Sequence, residues 1–257
     1  MDLGLKGRTA LVLASTGGLG AATARALGAE GANVIVSGRN EERAKQIASE
    51  LPSATGVRCD LSEPGAAELL VAATREAYGE PDIVVLNGPG PKPGSPTDLG
   101  PGDARAAIDL LVETHVALVT LTLPAMRAAG WGRILSVGSS GVQQPIPTLA
   151  ASNVGRAALA AYLKPLATEI AGDGVTVNML LPGRIATDRV ASLDAAAAER
   201  TGKSVEETRK AAEATIPVGR YGDPAEFGAV AAFLCSDLAS YVTGSQVRCD
   251  GGMIAHP

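Results

Sequence analysis

The turn Ala14-Ser15-Thr16-Gly17-Gly18-Leu19-Gly20 follows an apolar run and opens a helical stretch. Small residues there let the backbone approach a pyrophosphate, and the helix start offers unpaired amide N–H groups and a positive dipole end. Ser15, Thr16, Gly18, Leu19 and Gly20 are therefore candidate contacts for a dinucleotide. The spacing departs from GxGxxG, and a plain tight turn is the competing reading. The next apolar run ends in Ser37-Gly38-Arg39-Asn40. An acid at that place would accept from a ribose 2′-OH and repel a 2′-phosphate; Arg39 instead can pair with a phosphate. This favours NADP(H) over NAD(H), against the alternative of a solvated loop arginine.

Other chemistries are excluded by composition. Only two histidines occur, His115 and His256, so a three-histidine metal site cannot form and a Ser-His-Asp triad would have to use His115. Aromatics are 3% of the 257 residues, too few for base-stacking platforms. A net charge of −5 speaks against nucleic acid and anionic membrane as partners. Cys59, Cys235 and Cys249 are odd in number and far apart, which suits a reducing cytoplasm and no disulfide framework. No uninterrupted run reaches the ~18 apolar residues of a membrane-spanning helix.

Short β-branched runs alternate with Ala-rich helical stretches. Strands are expected over 8–14, 33–37, 56–58, 82–86, 133–137, 176–180 and 245–249, with helices over 18–31, 41–51, 64–78, 103–129, 149–171 and 224–234. Pro124 is expected to bend or break the long 103–129 helix. The βαβ order predicts an α/β fold, a Rossmann-type doubly wound parallel sheet of about seven strands with helices on both faces, as a single dinucleotide-binding domain over 1–257.

The glycine turn resembles TGxxxGxG of the short-chain dehydrogenase/reductase family, with Leu13 and Ala14 where that family usually has Thr and Gly. Leu86-Asn87-Gly88-Pro89 resembles its NNAG motif, and Gly132–Ser140 the strand that carries its catalytic serine, here Ser139. Val177-Asn178 through Pro182-Gly183 and Thr187 is similar to VNxxxPGxxxT, and Asp250-Gly251-Gly252 to the C-terminal signature. The chain is so identified as similar to 3-oxoacyl-[acyl-carrier-protein] reductase-like members. The resemblance implies that Asp60 lies near the adenine, Asn87 near the adenosine ribose, and Pro182, Gly183 and Thr187 beside the nicotinamide.

The same resemblance implies a catalytic tetrad of Asn, Ser, Tyr and Lys. Counting from Val177-Asn178 puts the YxxxK positions on Ser152 and Arg156, and counting from Met126 puts the asparagine on Leu111; Ser139 alone is retained. Serine is shorter than tyrosine and a far weaker acid than a phenol of pKa about 10. Arg156 keeps the charge and could fork onto ribose hydroxyls, but with a pKa above ~12 it does not donate a proton. Several residues could compensate: Ser139 through a water held by Ser152, Lys92 in the Gly90–Gly94 loop as proton donor, and Gln143 and Gln144 as substrate contacts. For Lys92 an exposed loop lysine is the favoured reading. His115 reads as a structural or interface histidine. Arg184 and Arg189 could pair with an anionic substrate, but a solvated face is favoured for each.

Residues 188–216 read as a helical substrate lid, and the long Ala-rich helices as the pairing surfaces of a homotetramer (or homodimer). Three functions stand: an NADP(H)-dependent oxidoreductase acting on a carbonyl or alcohol with non-standard proton transfer; a dinucleotide-binding sensor or scaffold; or a lyase- or dehalogenase-like chemistry in the same cavity. Halohydrin dehalogenases resemble this family and also place arginine at the lysine position, but they keep the tyrosine.

Overall fold

Apolar residues run nearly without a break along the central strands because both faces of the sheet are covered. In the computed structural model, which describes residues 1–255, seven strands pair in parallel in the order β3-β2-β1-β4-β5-β6-β7. They are β1 (Thr9–Val12), β2 (Asn33–Gly38), β3 (Ala54–Arg58), β4 (Ile83–Leu86), β5 (Gly132–Val137), β6 (Val175–Pro182) and β7 (Gln246–Cys249). Leu11, Ile35, Val84 and Leu86 face one layer; Ala10, Val12, Val34, Ile83 and Val85 face the other. The chain is thus an α/β protein with the expected doubly wound parallel sheet.

The first layer contains α3 (Ala66–Tyr78), α5 (Thr114–Ala129) and α6 (Ala150–Ile170), packed through Leu70, Leu118, Leu159 and Leu163. The second contains α1 (Gly18–Ala29), α2 (Glu41–Ser49) and α9 (Pro224–Leu234), packed through Leu27, Ile47 and Phe227. Burying a side chain of this size fully is worth about 1.5–3 kcal/mol. Strand order reverses between β1 and β4, so their carboxyl ends frame the crevice where open α/β sheets place ligands.

Three expectations need correction. The 103–129 stretch is not one helix bent at Pro124. It is α4 (Pro101–Ile108), a π-helical turn (Asp109–Glu113) and α5, and Pro124 lies inside α5 without ending it. The interruption sits at Leu111, where no proline or glycine marks it. This rod is apolar enough by length and composition to cross a membrane, but Leu111, Leu118, Val119 and Met126 bury one side of it, as in a core helix. The first strand ends at Val12 rather than Ala14, which instead adopts a left-handed φ of 45°. The third and sixth strands are longer than expected, Ala54–Arg58 and Val175–Pro182. The expected lid over 188–216 forms two helices, α7 (Asp188–Thr201) and α8 (Val205–Glu213).

Candidate active site

The β1–α1 turn is shaped by close backbone contacts. A β-carbon on Gly20 would come within 2.4 Å of the Ala14 carbonyl and 2.7 Å of Asn87 Nδ2, so only glycine fits. Asn87, at the end of β4, donates from Nδ2 to the carbonyls of Leu13 and Ala14, both at 3.2 Å. It therefore clamps the turn from the opposite side of the crevice. Gly17 caps α1 without a side-chain bond, leaving the first-turn amides of Gly18 and Leu19 open to an anion. Thr187, the N-cap of α7, faces this turn: its Cγ2 would lie 3.7 Å from a β-carbon on Gly18. These features form a cradle that fits a dinucleotide diphosphate.

Ser15 takes a different part from the expected one. Its hydroxyl is fully buried, donates to Val12 O at 2.7 Å and accepts from Ser37 N at 2.9 Å, so it ties β1 to β2. Thr16 packs against Gly38, whose β-carbon would meet Thr16 Oγ1 at 2.7 Å. Arg39 is exposed beyond β2, close enough to Asp60 to help lower that carboxyl, although the bonds from Ser62 are the larger cause. Arg43, in the first turn of α2, donates from Nε to Thr16 O at 3.3 Å, and exposed Arg58 ends β3. Sequence reading named Arg39 alone; Arg43 was signalled by Asn40, whose Oδ1 caps α2 by accepting from Arg43 N. Gly183 is small for packing reasons as well: a β-carbon there would sit 2.6 Å from the backbone of Asp250.

Ser139, half-buried beyond β5, accepts at Oγ from Gly141 N at 3.0 Å, which leaves its own hydrogen free to donate. Ser152 and Arg156 stand one turn apart on α6. Arg156 donates from Nη1 to Val137 O at 2.5 Å. Burial, and then the charge of Arg189, hold its pKa down to about 10. Leu111 is buried against Gly155, whose β-carbon would meet Leu111 Cδ1 at 2.8 Å, so this position offers only an apolar contact.

His115 is buried, and its ring lies 2.8 Å at Nδ1 from Leu111 O and 3.4 Å at Nε2 from Asn87 O. Burial pushes it down to about 4, so it is neutral at pH 7 and one nitrogen carries hydrogen. The shorter contact assigns that hydrogen to Nδ1, which donates to Leu111 O. His115 is a core residue rather than an interface one.

Other sequence candidates divide. Lys92 and Gln144 are exposed. Gln143 does not face the site: its Oε1 accepts from Arg248 and its Nε2 donates to Gln246, drawing it toward β7. Arg184 is part-exposed but tethered: it donates to Asp194 Oδ1 at 2.8 Å, while Tyr221 donates to Asp194 Oδ2 at 2.9 Å, a knot around a buried carboxylate that anchors α7. No spacing rule links positions 184, 194 and 221, so sequence reading missed it. Arg189 is exposed, as expected, and donates from Nη2 to Pro91 O at 3.0 Å. Among the described residues no cluster of metal-ligating side chains occurs.

Sheet order, glycine turn and crevice define a Rossmann-type dinucleotide-binding protein. A family model described as Enoyl-(Acyl carrier protein) reductase matches residues 13–254. Dehydrogenase/reductase SDR family member 4 of Bos taurus is 35% identical, over 98% of this chain and 89% of its own length. D-beta-hydroxybutyrate dehydrogenase of Cupriavidus necator is 33% identical, over 98% of this chain and 99% of its own. Among solved structures, L-sorbose reductase from Gluconobacter frateurii, complexed with NADPH and L-sorbose, superposes with a TM-score of 0.94 at 29% identity, covering both chains fully. The chain belongs to the short-chain dehydrogenase/reductase family of oxidoreductases.

Proposed function

We propose that this chain is an NADP(H)-dependent oxidoreductase acting on a carbonyl or alcohol, with proton transfer that does not use a phenol. The observation that carries the reading is the open amide cradle at Gly18 and Leu19, held in shape by Asn87. Preference for NADP(H) is supported by Arg39, with Arg43 and Arg58 at the neighbouring strand and helix ends and no acid at the close of β2. The L-sorbose reductase and a polyketide ketoreductase of 31% identity (TM-score 0.90) carry NADPH. Ser15 through its backbone, Thr16, Gly18, Leu19 and Gly20 would hold the diphosphate. Asp60 and Asn87 would hold the adenosine, and Arg156, Pro182, Gly183 and Thr187 the nicotinamide end.

When bound, the nicotinamide supplies or accepts a hydride. The protein's part is electrostatic. Ser139 donates its free hydrogen to the substrate oxygen, and Arg156 stabilises negative charge there while keeping its own proton. A hydroxyl at Ser152 is too short and too weakly acidic to replace a phenol, so the proton comes from Lys92 or from water held by Ser152. Gln144 is the further substrate contact, and α7 and α8 form the lid. The groove between α5 and α6, lined by Val119, Leu123, Pro124 and Tyr162, is the surface for a second copy in a homotetramer. A cytoplasmic location is supported by the three free cysteines.

Leu111 and Ser152 also support a second reading, a dinucleotide-binding sensor without turnover. Fluorescence titration with NADPH and NADH, followed by NADPH oxidation against a carbonyl panel, separates the two. Tight NADPH binding with no turnover selects the sensor; no dinucleotide binding removes both. A monomer on sedimentation would remove the tetramer.

A further inference from the structure

We propose that His115 is a positioning residue of the crevice: its Nδ1–H fixes the π-turn of the helical rod against the loop after β4, and so keeps Asn87 in place on the glycine turn. The proposal rests on the reading of the crevice as a dinucleotide site.

Thr114 and His115 open α5, directly after the π-turn Asp109–Glu113. Thr114 donates from Oγ1 to Leu61 O at 2.9 Å, in the loop after β3 and next in sequence to Asp60. The His115 ring lies 2.8 Å at Nδ1 from Leu111 O, inside the π-turn, and 3.4 Å at Nε2 from Asn87 O. A β-carbon on Gly88 would stand 3.7 Å from that Nε2, an ordinary contact distance, so the ring is a wall against which the loop after β4 rests. Two adjacent side chains thus join the rod to both loops that carry the proposed adenosine contacts, Asp60 and Asn87.

Packing alone does not call for histidine here. A π-turn disturbs the regular i→i+4 ladder, and Nδ1–H gives one of its carbonyls a side-chain donor from one turn ahead. The neutral ring then has no hydrogen left for Asn87 O, so two acceptors face each other at 3.4 Å around a side chain that is 1% exposed. A buried acceptor without a donor is a local cost that an apolar side chain of like volume would avoid. What the imidazole adds in return is the Nδ1–H on Leu111 O. The same turn also meets α6: a β-carbon on Gly155, next in sequence to Arg156, would sit 2.8 Å from both Ala107 O and Leu111 Cδ1. Loss of the donor lets the turn relax against these neighbours. The displacement passes through the ring to Asn87, whose Nδ2 bonds to Leu13 O and Ala14 O shape the cradle.

Two variants divide the imidazole. His115→Asn keeps an N–H on the atom bonded to Cγ, where Nδ1 stands, and drops the rest of the ring. His115→Phe keeps a ring and drops the donor; should it not fold, His115→Leu takes its place, since it too lacks the donor. Affinities for NADPH and for its adenosine half, 2′,5′-ADP, are measured by calorimetry on the full chain, well below each variant's melting temperature. His115→Phe is expected to weaken both ligands about 10-fold and His115→Asn to stay within about 3-fold of the parent, the scale of one hydrogen bond. A histidine that only fills the core would lower the melting temperature and leave both affinities unchanged, and that result overturns the proposal. So does a His115→Asn variant as weak as His115→Phe, or a loss seen with NADPH but not with 2′,5′-ADP. If the parent binds neither ligand, the dinucleotide reading falls, and hydrogen exchange of the free chain still decides the positioning role. There His115→Phe should exchange about 5-fold faster than the parent across residues 13–20 while β6 stays unchanged. No change in that turn, or the same change everywhere, overturns it.

Discussion

Arg156 donates to the carbonyl of Val137, two residues before Ser139, so these two residues share a single backbone support. On the proposed assignment of positions 139, 152 and 156, the missing phenol, and not a misplaced cation, limits proton transfer. The double variant Ser152→Tyr with Arg156→Lys is expected to raise NADPH-dependent reduction of simple ketones by about 10²-fold, the low end for a positioned general acid. Arg156→Lys alone should give no gain. Initial rates on a ketone panel check this, and an unchanged rate in the double variant would mean that the cavity shape differs too.

Ala14 occupies a left-handed conformation, φ 45°, where the family's motif has glycine. A side chain there costs about 1–2 kcal/mol. Glycine regains part of that in unfolded-state entropy. Ala14→Gly should therefore stabilise the fold by about 0.5–1 kcal/mol, a rise of about 2 °C in melting temperature. Calorimetry reads it, and a lower melting temperature would show that the alanine is not strained.

Burial holds His115 neutral, pushing it down to about 4 from the ordinary imidazole value near 6.5. Below pH 6.5 the unfolded chain takes up a proton that the folded chain refuses. The stability contribution is thus complete above 6.5 and is lost as pH falls toward 4, by as much as about 3 kcal/mol. Urea unfolding at pH 7 and pH 4.5 should show the loss. His115→Gln should be less stable at pH 7 but flatter across this window; a variant with the same pH slope as the parent would assign the slope elsewhere.

Tyr221 donates to the buried carboxylate of Asp194, which also accepts from Arg184. Removing the phenol leaves a buried charge short of one donor, at about 1–3 kcal/mol. Tyr221→Phe should destabilise the chain by that amount and loosen α7, raising proteolysis within residues 184–216. Protection equal to the parent would show that the knot does not hold the lid.

Arg39 stands exposed where an acid would select NAD. Arg39→Ala should weaken NADPH binding about 10-fold and leave NADH within about 2-fold, the loss of one charge-assisted contact. Paired fluorescence titrations decide it; equal weakening of both would remove the 2′-phosphate role.

Much of the fold is legible in the sequence. The period of apolar residues and the glycine turn after the first run determined a doubly wound sheet, because a strand buried on both faces must be apolar and a phosphate-binding turn must be small. Counting from Val177-Asn178 placed Ser152 and Arg156, and helical spacing set them on one face. The π-turn at Asp109–Glu113 was not legible, since its residues have ordinary helical types and the interruption arises where this rod packs against α6 at Gly155. Nor was the second bond partner of any long polar side chain: Gln143 turned to β7, Arg184 to Asp194 and Arg189 across to Pro91. The sequence by itself determined which groups are present and missing, above all that no tyrosine stands at position 152. Tertiary structure alone decided where the arginines point, because a flexible charged side chain takes its direction from the carbonyls and carboxylates that distant segments bring within reach.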